Sequence, residues 1–537
     1  MAIMAMAMAK KINNLKLIGF TTLLQSFIAT PALIAGEWQF TPKLKLEEIF
    51  TDNVELTITQ PTSSLVSQIN TGLDVNYQSR FANFSFSGGG HNLFFSHDNK
   101  INDSYLTLDT QAQYSFWSSG PIFKASASIK NTNKNSANNS LATLVSGDTI
   151  QSKNASAGLS YNIYNSAFSM YSDINYNISR FEDGIGEYND ITASINLSSN
   201  NNPHIIFSRL AGNFSTKEQD TSESSRTAKQ YQIDAMVGLV TSFNFSPFIR
   251  FHDEDFSGDL VNQSQQTTSS WGPGFRWLIS EHLKIDLSYN YVADDTTSDD
   301  YISATMEWEP SARTSLAAGY SQRFFGDSYN LNLQHKTKRL TNSITYVEAL
   351  QVFDRNNYEQ INLGIFWCPT AIEIEDIRKC FIQYGQSSSD DFQLVNFFSL
   401  EPIESNEFSL NRNFTWNSKL QLARTAFIIS TTASRREGLE SAIVNDTLGA
   451  SFTISREISA RSKLALLIKY DYKVFDKDNS EETGQKDHYR TISTTYTKNL
   501  ASSLSANLTV QHVNRDSSED LFSYDEMRTI INITKEF

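Results

Sequence analysis

The stretch Leu283-Lys284-Ile285-Asp286-Leu287-Ser288-Tyr289-Asn290-Tyr291 alternates without a break, with apolar residues at the odd positions and small polar or charged ones between them. Successive side chains of a strand point to opposite faces, so the stretch predicts a strand with one apolar and one polar face. The pattern recurs along the chain. Leu106, Leu108, Ala112, Tyr114 and Phe116 oppose Thr107, Asp109, Gln111, Gln113 and Ser115. Phe168, Met170, Ile174, Tyr176 and Ile178 oppose Ser169, Asp173, Asn175, Asn177 and Ser179, and Leu504, Ala506, Leu508 and Val510 oppose Ser505, Asn507, Thr509 and Gln511. The polar face is mostly Ser, Thr, Asn and Gln. The runs reach about ten residues, the length of a tilted membrane-spanning strand (about 9 to 11) rather than of a soluble one (about 5 to 6).

The connections also alternate. Trp277 through Ser280 to Leu283, Trp308 through Pro310 and Ser311 to Leu316, Ile454 through Ser459 to Leu464, and Tyr496 through Ala501 to Leu504 read as tight hairpins. Longer polar stretches, Asp294 to Asp300, Phe475 to Asp487 and Arg515 to Asp525, lie at the other strand ends. Short turns on one side and long loops on the other predict an all-β fold, a large transmembrane antiparallel β-barrel of the bacterial outer membrane. At roughly 20 residues per strand with its share of loop, the chain accommodates about 24 strands, within a range of about 20 to 26. About 17 strand-like runs precede Phe353 and about 7 follow Asn406 on the same reading. Residues 354–405 between them are expected to form an irregular insert or loop.

Composition agrees. Lys and Arg number 44 against 59 Asp and Glu, a formal charge of −15, and the charged fraction is 19%. No basic footprint for nucleic acid exists. The 36 Phe, 22 Tyr and 7 Trp supply the aromatic surface of strands. Lys10, Lys11 and Lys16 precede an apolar run from Leu17 to Ile28, followed by Ala29, Ala32 and Ala35. That order is expected of an export signal over residues 1–35, cleaved near Ala32 to Gly36, leaving residues 36–537 as the barrel. At the other end, Phe537 with Ile533 and Ile531 in register is similar to the assembly signal read by the outer-membrane insertion machinery, with Lys535 where an aromatic usually stands. Cys368 and Cys380 are the two cysteines, and an exported chain sits where disulfides form. Closing that loop would contribute about 3 kcal/mol in the chain-entropy model.

Catalytic patterns are absent. Among His91, His97, His204, His252, His282, His335, His488 and His512, only His97 beside Asp98 and His252 beside Asp253 and Glu254 lend themselves to a triad, and no Gly-x-Ser-x-Gly elbow accompanies them. Both are expected to be loop histidines. No spacing of metal ligands of the His-Glu-x-x-His or Cys-x-x-Cys kind occurs, and no cofactor is expected. Gly88-Gly89-Gly90 reads as a strand bend or bulge. Asp294-Asp295 with Asp299-Asp300, and Asp253-Glu254-Asp255, read as solvated acidic loops, with divalent-cation bridging to lipopolysaccharide as the sharper alternative.

Between Tyr289 and Tyr346 the chain reads Trp308-Glu309-Pro310-Ser311-Ala312-Arg313, Leu316, Gly319-Tyr320, Arg323-Phe324-Phe325-Gly326, Ser328-Tyr329 and His335-Lys336. This resembles the large outer-membrane β-barrel family associated with PEP-CTERM/exosortase systems, encoded in exopolysaccharide loci. Arg-Phe-Phe-Gly with the following Ser-Tyr is the most specific part, and Arg412-Asn413 is compatible with it. The resemblance implies a role in moving or anchoring exopolysaccharide and carries no catalytic residues. Physically, Arg313 and Arg323 flanking a tight turn are alternatively binders of lipid phosphate or backbone carbonyls. The expected function is a non-enzymatic pore or scaffold for exopolysaccharide export. Its expected partners are outer-membrane lipid and lipopolysaccharide, the insertion machinery, polysaccharide and periplasmic export components. The alternatives are an uptake porin or TonB-dependent receptor, whose N-terminal plug is missing because alternation begins near Trp38, and a lipid-modifying barrel enzyme.

Overall fold

The computed structural model describes residues 36–537 except 58–60, 200–202, 221–224, 261–265, 294–298, 371–379, 382–391, 479–483 and 520–521. The expected export signal and Asp294-Asp295 lie outside the described residues. The strands run from β1 (Glu37–Thr51) to β26 (Tyr524–Glu536) in chain order. Twenty-four of them form one antiparallel sheet, and β1 pairs with both β2 (Ser64–Gln78) and β26, which closes the sheet into a ring. Closure leaves no strand edge with unpaired backbone groups, the condition for spanning lipid with strands. Among the described residues no helix is long and apolar enough to cross a membrane.

Four hairpins fall where the sequence placed them, each with two residues between strands. Glu281-His282 joins β12 (Gln266–Ser280) to β13 (Leu283–Val292), and Ala312-Arg313 joins β14 (Tyr301–Ser311) to β15 (Thr314–Arg323). Ala460-Arg461 joins β22 (Ile443–Ser459) to β23 (Ser462–Asp478), and Ser502-Ser503 joins β24 (Gln485–Ala501) to β25 (Leu504–Ser517). In each the register slips just before the turn, a bulge that tightens the local twist. Phe537 lies at this end, its N–H donating to the Pro42 carbonyl at 2.9 Å.

Contacts between strands that are not neighbours run through the interior, and they identify the lumen face. Arg323 at the end of β15 reaches Glu254 in β11 (Phe245–Gly258), for example. On that basis Lys284, Asp286, Ser288 and Asn290 face the lumen and Leu283, Ile285, Leu287, Tyr289 and Tyr291 face outward. The outward face carries the exposed apolar side chains, among them Ile174, Ile249, Ile302, Ile492 and Ile531. Aromatic pairs border it at both ends. Trp38 stacks on Phe40 (5.8 Å) and Phe245 on Trp277 (5.5 Å) near the short turns, while Trp271 meets Tyr291 (5.6 Å) and Tyr320 meets Tyr329 (5.3 Å) near the loops. An apolar belt between two aromatic girdles, over a polar lumen, is a transmembrane barrel of the outer-membrane type.

The wall is uneven. From β13 to β17 (Leu340–Gln351), including β16 (Gly326–Lys336), the strands have 10 to 12 residues, whereas β22 to β25 have 14 to 17. The polar stretches read as loops therefore begin and end in strand: residues 475–478 and 485–487 belong to β23 and β24, and residues 515–517 and 524–525 to β25 and β26. Seventeen strands precede the insert and seven follow it, and β17 pairs directly with β20 (Ser409–Gln421). Where irregular chain was expected, the described residues of the insert hold a separate hairpin of β18 (Asn357–Pro369) and β19 (Phe392–Ile403) with a bulge at Asn362/Gly364. Adjacent apolar pairs in β19, Leu394-Val395 and Phe397-Phe398, hide the period of two. Gly88-Gly89-Gly90 makes no bulge, since β3 (Ala82–Phe95) keeps its register on both sides.

Candidate functional site

The loop end of the lumen is crossed by two inward segments. Residues 134–148, between β5 (Ile122–Asn133) and β6 (Thr149–Tyr164), reach across to β24, β25 and β26. Arg515 anchors them: it is almost fully buried, its Nη2 donates to Asp487 and to the Ala137 carbonyl at 2.8 Å each, and its Nη1 donates to the Asn138 carbonyl. Gln485 Nε2 donates to the same Ala137 carbonyl (2.6 Å), and the Ser140 N–H donates to the Tyr489 hydroxyl (3.2 Å). A second anchor is Arg528, bound to Glu526 at 2.8 Å and to Ser146 Oγ at 2.5 Å. Ala137 is completely buried between Tyr358 and Phe475. Burial there pushes the Tyr358 hydroxyl up to about 12. A guanidinium that satisfies several carbonyls and one carboxylate in a dry site holds a loop rigidly, because removing it strands a buried charge.

The start and end of the insert form the second segment. Val352, Phe353 and Phe408 are buried against Ala228 and Phe256. Arg436 binds Asp354 (3.1 Å), Arg355 binds Asp183 (2.9 Å) and the Lys134 carbonyl (2.6 Å), and Asn135 donates to the Leu400 carbonyl (2.6 Å). The two segments therefore interlock. Within the insert Cys368 and Cys380 form a disulfide.

The Arg-Phe-Phe-Gly motif is the tip of the β15/β16 hairpin, folded into this mouth. Arg323 Nε donates to Glu254 Oε2 at 2.9 Å and the Phe324 N–H donates to Oε1 of the same carboxylate at 3.2 Å. Phe324 packs on Phe256 (4.9 Å), which meets Phe408 edge-on, and the Arg323 guanidinium lies over the Phe325 ring (4.7 Å). Gly326 takes φ +104°, a conformation other residues rarely adopt, so the turn needs glycine there. Arg323 thus binds a carboxylate, neither lipid phosphate nor a carbonyl. Arg313 does not share its turn: it stands exposed at the opposite end of β15. Trp308 and Tyr329 face outward in the two aromatic girdles. Arg412 binds Glu437 at 2.7 Å.

Asp253, Glu254 and Asp255 belong to β11 rather than to a solvated loop, since Glu254 is buried and Asp253 accepts from the Tyr231 hydroxyl at 3.0 Å. His252 is a lumenal strand residue 2% exposed, 3.5 Å from Asp234 and 3.9 Å from Glu254. His97 Nδ1 meets Ser64 Oγ at 2.7 Å, but Asp98 instead accepts from the Lys100 N–H. Among the described residues neither histidine stands in a Ser-His-carboxylate relay, and no group of three His, Cys, Asp or Glu side chains is placed to hold a metal. His91 bonds Asn70 and Thr107 on the lumen wall, and His335 and His488 bond Thr314 and Tyr470. Ile531 and Ile533 are exposed on the lipid side, and Lys535 Nζ lies 5.6 Å over the Phe537 ring. Sequence reasoning missed Arg515, Asp487, Arg528 and Arg436; the signal it had was charge inside stretches it read as loop.

No protein-family model matches the chain, and no curated protein does. Solved structures similar to it include the siderophore receptor PirA from Pseudomonas aeruginosa (8% identity over 93% of this chain and 80% of that one, TM-score 0.40). PirA from Acinetobacter baumannii (7%, 93% and 80%, 0.44) and the FrpB iron transporter from Neisseria meningitidis (8%, 93% and 82%, 0.44) are others. At these identities and scores neither ligand nor mechanism transfers to this chain.

Proposed function

We propose that this chain is a non-enzymatic outer-membrane pore that guides an exopolysaccharide, in a system of the PEP-CTERM/exosortase type. The observation that carries the reading is the lumen: a wide ring whose inner wall presents Ser, Thr, Asn and Gln side chains, crossed at its loop end by segments held through arginine. A sugar chain moves along such a wall by exchanging many weak hydrogen bonds. Loop 134–148 and the described ends of the insert then act as the constriction that sets what passes. Export signal peptide, insertion machinery and periplasmic export components are part of the same proposal.

Deleting the gene is the direct test. Loss of surface polymer with normal outer-membrane protein content is the expected result, and unchanged polymer overturns the reading. Normal polymer with a growth defect on a scarce nutrient would instead make the chain an uptake receptor. Purified protein in planar bilayers is expected to show small steps that grow when residues 136–146 are replaced by a short Gly-Ser link.

A further inference from the structure

The short-turn rim of the barrel is charged on one side only. Four consecutive turns, residues 337–339, 422–424, 460–461 and 502–503, join β16 to β17, β20 to β21 (Thr425–Gly438), β22 to β23 and β24 to β25. With five residues on either side they hold nine Lys and Arg against a single acid, Glu457. All nine are exposed, and among the described residues none makes an ion pair or a side-chain hydrogen bond. Across the ring, the turns 116–121, 165–167 and 240–244 join β4 (Asp103–Ser115) to β5, β6 to β7 (Phe168–Phe181) and β10 (Ser225–Leu239) to β11. With the same flanks they hold one charged residue, Lys124, which lies 3.9 Å from Asp173. In a chain of net charge −15, unpaired positive charge is thus concentrated at the ends of eight adjacent strands.

Strand register fixes which way these side chains point. Thr425, Arg456, Leu464, Tyr496, Leu508 and Ile531 lie opposite one another in turn, and Ile531 is exposed on the lipid side. Arg456 therefore faces lipid at the level of Tyr496. One step nearer the turn, Lys498 shares its row with Ala506 and the lipid-exposed Ile533. Two residues of strand rise about 7 Å, so the two cations stand at the short-turn girdle and just beyond it. Arg424 and Arg461 are turn residues beside them. Ile458 and Leu500, at the two bulges, are 52% and 47% exposed, so the tips are apolar as well as basic. Three lysines belong to the other face. Lys336 and Lys419 both lie opposite Thr341, on the side of the wall away from Tyr329, and Lys463 lies opposite Thr497, on the lumen face of β24 with Asp487.

Guanidiniums at headgroup level with no carboxylate bound to them take their anion from outside the chain. Lipid supplies one. Phosphate oxygens accept from a guanidinium fork, and basic side chains at strand ends lay their stems along apolar surface to reach them. Several such residues together draw anionic lipid in preference to neutral lipid. The exposed Ile458 and Leu500 favour lipid over a water-soluble partner, because tips seated in the membrane interface remove these side chains from water. We infer that Arg424, Arg456, Arg461 and Lys498 bind the headgroups of anionic phospholipid in the adjoining leaflet and gather that lipid on one side of the barrel. Nothing in this depends on what the pore carries.

The test is native mass spectrometry of the full-length protein in detergent with equimolar phosphatidylglycerol and phosphatidylcholine of the same acyl chains. Retained phosphatidylglycerol is expected to exceed phosphatidylcholine by at least about tenfold, and the ratio is expected to fall at high salt. The fourfold variant Arg424→Gln, Arg456→Gln, Arg461→Gln and Lys498→Gln is expected to bring the ratio to within about twofold of one. A second variant, Lys336→Gln, Lys419→Gln and Lys463→Gln, removes nearly as much charge from the lumen face and is expected to leave the ratio unchanged. None of these seven side chains has a protein partner, so their loss strands nothing, and heat-modifiable gel mobility confirms that both variants are folded. Equal retention of the two lipids by the unaltered protein overturns the inference, as does a preference that survives in the folded fourfold variant. An equal loss in the lumen variant also overturns it, by making the preference a matter of total charge. Displacement of the lipid by an excess of soluble glycerol phosphate overturns it too, by making the rim a site for free phosphate.

Discussion

The wall from β13 to β17 and the wall from β22 to β25 are built from the same alternating pattern but differ in height. Strands of 10 to 12 residues tilted as barrels require rise about 26 Å, close to the hydrocarbon thickness, whereas 17 residues rise about 40 Å. The low wall ends at the girdle, and its tip, Phe324-Phe325, turns inward onto Glu254. The tall wall continues beyond the membrane, and its lumen face supplies Asp487, Tyr489 and Arg515, the side chains that hold loop 134–148. The tall wall thus anchors loop 134–148, whereas the low wall supplies the hairpin tip and, after β17, the start of the insert.

The largest effect is expected on the tall side. Arg515→Met strands Asp487 and releases the Ala137 and Asn138 carbonyls, a local loss of about 3 to 5 kcal/mol. Limited proteolysis should cut within 134–148 while the barrel still shifts on heating; a loop that stays protected breaks the assignment of the anchor to this wall. Next comes the hairpin above the low wall, where Cys368→Ser with Cys380→Ser is expected to cost about 3 kcal/mol. The readout is faster cleavage of the insert at unchanged insertion of the barrel, and failed insertion would mean that the insert supports assembly. Glu254→Gln keeps the shape of the acceptor but loses its charge, so a cost of about 2 kcal/mol is expected at the Arg323 tip. Increased open-channel noise without loss of loop 134–148 protection would sharpen the contrast between the two walls. Arg313→Gln, exposed at the short-turn end, should stay within about 0.5 kcal/mol, and thermal melting that moves by more gives that turn a role not seen here.

The same difference in height explains what the sequence disclosed. Where one face meets lipid and the other water, as in Leu283 to Tyr291, alternation is plain, and the strand count and the two-residue turns follow from it. Above the membrane both faces meet water or a protein loop, so the signal fades. Asp487 and Arg515 therefore read as loop although they sit in β24 and β25. The constriction was illegible for a second reason. Arg515 and Ala137 are 378 positions apart and Arg323 and Glu254 are 69 apart, and no local pattern pairs them. His252 shows the converse: its acidic neighbours in sequence suggested an exposed loop, while the ladder buries it among strands.

The pairing of β1 with β26 also sets an order of events. From Lys43↔Glu536 to Thr51↔Arg528 the first strand of the barrel waits for the last one translated, the longest possible separation within the ring. Until then two open edges of unpaired amides and carbonyls exist at once, each a template for the wrong neighbour. Such non-local closure is slow by its topology. The barrel cannot close piecemeal as its strands are added, and a chain missing even its final strand is a sticky ribbon with two live borders.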